Sequence, residues 1–220
     1  MATVVIFDVG KTLIKCTHKD IIKFLYRKNK VSLYFLIKIF MQFLLHRINF
    51  INDKDVNKMT RKAFRIVLRG WDVYETEKIL EECFEEVIKP KIIPESIALI
   101  QEHTKREHTV ILISALIGGV IEKLKEYLGL EYAIYPNLEV QNGKYTGEIL
   151  GCIPYGEDKA NIIKQIAEEN HFNLEESWAY ADRFSDIPLL KITKHPCVVN
   201  PDRKLRKFAQ RKGWRVYDFK

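Results

Sequence analysis

The 220-residue chain is 47% hydrophobic and 30% charged, an ordinary globular balance with room for one core and a modest insertion. Its net charge of +7 conceals a division, because residues 11–70 hold fifteen Lys or Arg against three Asp and residues 201–220 hold eight against two. The stretch between is therefore acidic, an anionic partner near the first basic block is favoured, and four cysteines without CxxC or zinc spacing argue against a disulfide framework or zinc site.

Met1-Ala2-Thr3 leads straight into apolar residues with no basic leader, so reduced thiols in a cytoplasm are expected. Residues 4–7, Val-Val-Ile-Phe, are too short for an ordinary helix and read as a strand. The strand delivers Asp8 to the turn Val9-Gly10-Lys11-Thr12-Leu13. Residues 15–91 then read as helices throughout. Within them, residues 31–51 are rich in aliphatic and aromatic side chains, with Lys38, Gln42 and His46 forming one polar stripe at four-residue intervals. That stretch is too interrupted for a membrane span, which needs about twenty predominantly apolar residues. A helix so apolar buries its surface in the chain's own core or a homodimer contact. With Arg27, Lys28, Lys30 and Arg47 around it, an anionic membrane surface, reached as a peripheral attachment, is the competing partner.

Strand and helix alternate from there on. Helical spacing over 94–103 precedes an apolar run at 110–113 that ends in Ser114, and a further helix is expected over 121–128. Asn142-Gly143 between two β-prone runs marks a tight hairpin. A helix over 158–170 carries Lys159 in its first turn, and a strand at 178–181 is followed by Asp182 and Asp186. A strand at 197–199 and a helix over 203–212, stopped by Gly213, complete the pattern. Such alternation predicts a three-layer, Rossmann-like α/β fold whose parallel sheet gathers strand-end residues at one edge. Asp8, Ser114 and Asp182 all meet that condition. Taken singly, an Asp closing a strand is usually a turn former or helix cap, and Lys159 an ordinary surface lysine.

Together, Asp8-Val9-Gly10-Lys11-Thr12, Ile111-Leu112-Ile113-Ser114, Gly156-Glu157-Asp158-Lys159 and Asp182-Arg183-Phe184-Ser185-Asp186 resemble, in order and spacing, the four motifs of haloacid dehalogenase (HAD) superfamily phosphatases. Residues 138–147 and the tail from Val199-Asn200-Pro201-Asp202 through Trp214 resemble the phosphoserine-phosphatase-like branch, subfamily IB, so the likeness covers nearly the whole chain. The resemblance implies a Rossmann-like HAD core, residues 1–14 and 92–220, and an all-helical type-1 cap, residues 15–91. It implies a Mg²⁺-dependent phosphatase acting on a small phosphorylated substrate. Asp8 is then the nucleophile that forms an aspartyl phosphate. Asp8, the Gly10 backbone carbonyl and Asp182 hold Mg²⁺, with Asp186 as an outer or occasional direct ligand. Ser114 and Lys159 hold phosphate oxygens.

Gly10 departs from that pattern, for the family's second motif-I Asp protonates the leaving oxygen and then activates water. General acid-base help of this kind is worth about 10²- to 10⁴-fold, and glycine supplies none. Three readings stay open: slow turnover of substrates with good leaving groups, an acid supplied by the cap through His18 or Asp20, or a phosphate-binding pseudoenzyme with an interaction role. Phosphoserine itself is disfavoured, since Thr17 stands where such phosphatases carry a Glu for the substrate amine. A lipid phosphate resembling phosphatidylglycerol phosphate, met at a membrane surface, is the alternative substrate. No nucleic-acid partner is expected, because the cap's aromatics lie among aliphatics rather than interleaved with Arg.

Overall fold

The computed structural model describes residues 2–34, 37 and 53–219. Its centre is a six-stranded sheet in the order β3 (Tyr132–Ile134), β2 (Thr109–Ile113), β1 (Ala2–Asp8), β6 (Phe172–Ala181), β7 (His195–Val199), β8 (Arg215–Tyr217). Every neighbouring pair in it is parallel. A separate antiparallel pair, β4 (Asn137–Gln141) and β5 (Lys144–Leu150), forms the hairpin expected around Asn142-Gly143. Both turn residues have positive φ, 51° and 73°, as a type I′ turn requires.

The sheet forms because its strands are apolar on both faces, the mark of a parallel sheet covered by helices. Side chains alternate across a strand. Val4 and Ile6 accordingly join one core with Ile111, Ile113, Ala179 and Ala181, while Val5 and Phe7 join the other with Val110, Leu112 and Tyr180. Residues 4–7 are completely buried, and burial of each such side chain is worth about 1.5–3 kcal/mol. Phe7 stacks on Tyr180 at 4.4 Å between ring centroids, locking β1 against β6.

Three features depart from the sequence reading. The strand expected at 178–181 starts at Phe172, because Ala2 and Thr3 pair with Phe172 and Asn173 before a register shift. The three-residue edge strands β3 and β8 were not anticipated, nor was the five-residue helix Ile187–Lys191. Elements this short carry no period of their own, and β3 and β8 exist through pairing with β2 and β7. Cys16, Cys83 and Cys197 are buried, whereas Cys152 is exposed.

Between β1 and β2 the described residues form helices His18–Arg27, Asp53–Leu68 and Val73–Cys83, a π turn Phe84–Ile88 and a 3₁₀ turn Lys89–Lys91. The chain leaves and re-enters the sheet side by side, with Lys15 N donating to Lys91 O at 2.7 Å and Ile93 N to Leu13 O at 2.8 Å. Helix Asp53–Leu68 rests on the hairpin, where Arg61 donates to the carbonyls of Ile149 and Gly151 and Arg65 pairs with Glu148. Most of the apolar helix expected over 31–51 lies outside the described residues. Among the described residues no helix is long and apolar enough to cross a membrane.

Candidate active site

β1 ends at Asp8, β2 one residue before Ser114 and β6 one residue before Asp182, and these three strands are adjacent in the order β2-β1-β6. The chain builds outward from β1 in both directions, so its C-terminal end is the topological switch point at which α/β sheets bind ligands. Lys159 arrives from the first turn of helix Glu157–Glu169. The N-cap of that helix is Gly156 at φ 56°, ψ −127°, a conformation open to glycine and strained for other residues. Asp186 ends the 3₁₀ turn Phe184–Asp186 and stands at the N-cap position of helix Ile187–Lys191 without a side-chain capping bond.

The four charged groups meet in the interior, with exposures of 7% for Asp8, 4% for Lys159, 2% for Asp182 and 3% for Asp186. Lys159 Nζ donates to Asp8 Oδ1 at 2.5 Å and to Asp186 Oδ1 at 2.9 Å. Thr12 Oγ1 donates to the other Asp8 oxygen at 3.3 Å. Asp8, Asp182 and Asp186 each present an oxygen within 4.8 Å of the others. Asp182 Oδ2 faces Arg183 Nε at 3.8 Å, while its Oδ1 is buried without a hydrogen-bond partner among the described residues.

An unpartnered buried carboxylate oxygen beside two further carboxylates is costly unless a cation joins it. Burial, and then the charge of Asp8, pushes Asp182 up to about 8, with Arg183 opposing. Burial also raises Asp186, against the pull of Lys159. Burial would lower Lys159, but Asp186 and Asp8 outweigh it and hold the ammonium above its ordinary range. The set suits a hard cation, for which carboxylate and carbonyl oxygens are the proper ligands. With that orphaned oxygen, Asp8, Asp182 and Asp186 form a donor set that fits a metal ion.

Asp8, Gly10, His18, Ser114, Lys159 and Asp186 line one cavity of about 580 Å³. Of the two cap candidates, His18 belongs to this wall, with Nε2–H donating to the Ala115 carbonyl at 3.1 Å. Burial lowers its imidazole pKa. Asp20 is engaged elsewhere, accepting from Thr17 N at 2.9 Å and pairing with Lys91 at 2.6 Å. Ser114 Oγ accepts from Leu116 N at 3.2 Å, which orders the loop after β2.

Two contributors have no role in the sequence reading. Arg183 lines the cavity and is the cation beside Asp182. Asp202 accepts from Phe184 N at 2.9 Å while capping helix Arg203–Lys212, so it holds the loop that carries Asp182 and Asp186. The available signal for Asp202 was its place one residue before a helix, which reads only as a cap.

Residues 5–191 match the family model for haloacid dehalogenase-like hydrolases. A probable phosphatase of Mycobacterium tuberculosis is 34% identical over 167 residues, covering 76% of this chain and 58% of that protein. A phosphoserine phosphatase of the same organism is 30% identical over 204 residues, covering 93% of this chain and 61% of that protein. A solved structure from Bordetella pertussis Tohama I, described as a protein with unknown function, superposes with a TM-score of 0.87 at 24% identity, covering 99% of both chains. That last likeness is one of fold. The chain spans 58% to 60% of the length of the first curated relatives it matches.

Proposed function

This chain belongs to the haloacid dehalogenase-like hydrolase family, and from that premise we propose that it is a Mg²⁺-dependent phosphatase of small phosphomonoesters with Asp8 as nucleophile. The orphaned Asp182 Oδ1 within a cluster of three buried carboxylates carries this reading. Phosphatase names among its relatives support it. Asp8, Asp182 and Asp186, with the Gly10 carbonyl, would hold the metal, whose charge neutralises developing negative charge on the phosphoryl oxygens. Within residues 15–91, helices His18–Arg27 and Asp53–Leu68 line the cavity and serve as its cap.

In this reading an Asp8 oxygen bonds to phosphorus as the ester P–O bond breaks, and water later cleaves the aspartyl phosphate. Lys159 and Ser114 orient the phosphoryl oxygens. Lys159 must then share its protons between Asp8, Asp186 and the incoming phosphate. Gly10 neither protonates the leaving oxygen nor takes a proton from water. Of the cap residues, His18 fits the second task, because burial keeps its ring neutral and the Nε2–H is spent on Ala115, leaving the other nitrogen to accept. Among the described residues no comparable acid serves the leaving group, so substrates with good leaving groups are favoured.

The test is turnover of p-nitrophenyl phosphate and acetyl phosphate against an alkyl phosphate, with Mg²⁺, for the wild type, Asp8→Asn and His18→Asn. The expected order puts the first two substrates far ahead, with activity abolished in Asp8→Asn. A phosphoenzyme should accumulate in His18→Asn. Activity that survives Asp8→Asn would exclude the nucleophile assignment.

A further inference from the structure

The cavity at Asp8 has two ends of different character. Asp8, Lys159, Asp186, Ser114 and Arg183 form the polar end. Away from it, the wall supplied by helices His18–Arg27 and Asp53–Leu68 and by the loop after β2 is aliphatic, with Ile22, Leu25, Met59, Ala63, Val67 and Leu116 lining the space.

Beyond the polar end, the charged side chains among the described lining residues are Lys11 and Lys19, both cationic. Arg61 and Arg65, on the same helix as Met59 and Ala63, reach outward to the hairpin at Ile149, Gly151 and Glu148. Thr17, at the rim, donates its hydroxyl to Asp20 at 3.0 Å, and Asp20 is itself paired with Lys91. A substrate ammonium placed along this wall would therefore be desolvated without a carboxylate partner among the described lining residues beyond the polar end, at a cost of several kcal/mol. A methylene chain placed there gains instead, at roughly 0.8 kcal/mol per buried CH₂. The cavity volume of about 580 Å³ falls within the roughly 300–1,000 Å³ of sites that enclose a ligand well beyond phosphate in size.

We propose that the substrate of this site is a phosphate monoester of an apolar chain, its phosphate at Asp8 and Lys159 and its chain against Met59, Ala63 and Val67. The proposal rests on the reading of Asp8 as the phosphate-attacking residue, and it names the substrate class for that same site. Aliphatic walls discriminate by length rather than by functional group.

The test is calorimetric titration of the intact protein, with Mg²⁺, by n-alkylphosphonates from ethyl to decyl, all below their micelle concentrations, with phosphoserine alongside. Each added methylene should tighten binding by about fourfold, the equivalent of roughly 0.8 kcal/mol per buried CH₂, until the cavity is filled. Phosphoserine should bind no better than ethylphosphonate. Ala63→Phe should end the gain at a shorter chain and Met59→Ala should extend it, so a failure of one variant to fold leaves the other as a test. Affinity independent of chain length, or phosphoserine binding tighter than octylphosphonate, would overturn the proposal. Hydrolysis of p-nitrophenyl phosphate is measured on the same samples. A chain-length gain in a protein that hydrolyses nothing supports the apolar site and counts against the catalytic reading, whereas brisk hydrolysis with flat affinity does the reverse.

Discussion

Lys159 and Asp8 stand 151 positions apart in the chain and meet at 2.5 Å in the interior, Nζ to Oδ1. The same ammonium reaches Asp186 at 2.9 Å, so one cation offsets two buried carboxylates. Removing it leaves both uncompensated, and breaking a buried pair from one side costs about 3–5 kcal/mol. Lys159→Met should therefore unfold at markedly lower denaturant concentration and lose about 10²- to 10³-fold in kcat toward p-nitrophenyl phosphate. Adding Asp8→Asn to that variant should restore part of the stability and none of the activity. Strictly additive losses in the double-mutant cycle would show that the two residues are not coupled.

Asp182 poses the opposite case. Its unpartnered oxygen lies among like charges, so the neutral isostere Asp182→Asn should raise the melting temperature in metal-free buffer near neutral pH. A gain of about 1 kcal/mol corresponds to roughly 2–4 °C for a chain of this size. Titration calorimetry should at the same time lose the Mg²⁺ heat seen with the wild type. Unchanged Mg²⁺ affinity would place the ion elsewhere.

Gly10 has space for the side chain it lacks. A Cβ built there meets only the Cys16 carbonyl oxygen, at 3.7 Å, and the residue is not among those with positive φ. Glycine is thus not demanded by the backbone, and Gly10→Asp should fold as the wild type does. If the missing acid limits turnover, kcat/KM for an alkyl phosphate should rise by about 10²- to 10⁴-fold. A folded, Mg²⁺-binding variant that gains nothing would mean that leaving-group protonation is not the limiting step.

His103 predicts a pH dependence remote from the site. Its Nε2 pairs with the Tyr180 hydroxyl at 2.8 Å and its Nδ1 with His108 Nδ1 at 3.0 Å. Burial, followed by the neighbouring His108, pushes its pKa down to about 4. The unfolded chain, at about 6.5, binds the proton more readily, so stability is full above that value and declines as pH falls from about 6.5 to 4. The loss from this residue is at most about 3 kcal/mol. Urea melts across that window should show a shallower decline for His103→Gln than for the wild type. Parallel declines would assign the acid sensitivity to other groups.

How much of this was legible beforehand follows from the range of each interaction. Residues 4–7 are apolar without alternation, which marks a strand buried on both faces, and Asn142-Gly143 demands a left-handed turn, so local chemistry alone determined β1 and the hairpin. The order of Asp8, Ser114, Lys159 and Asp182, each beside an apolar run or helix start, likewise pointed to one sheet edge. Edge strands β3 and β8, three residues each, were decided by partners distant in the chain, because a segment that short carries no period. Only the tertiary structure separated His18 from Asp20, turning one into the cavity and tying the other to Lys91. The same holds for Asp202 and Arg183, whose chain neighbours suggest a helix cap and a solvated cation. Their surroundings are set by which loops the sheet brings together, a long-range outcome that no local spacing encodes.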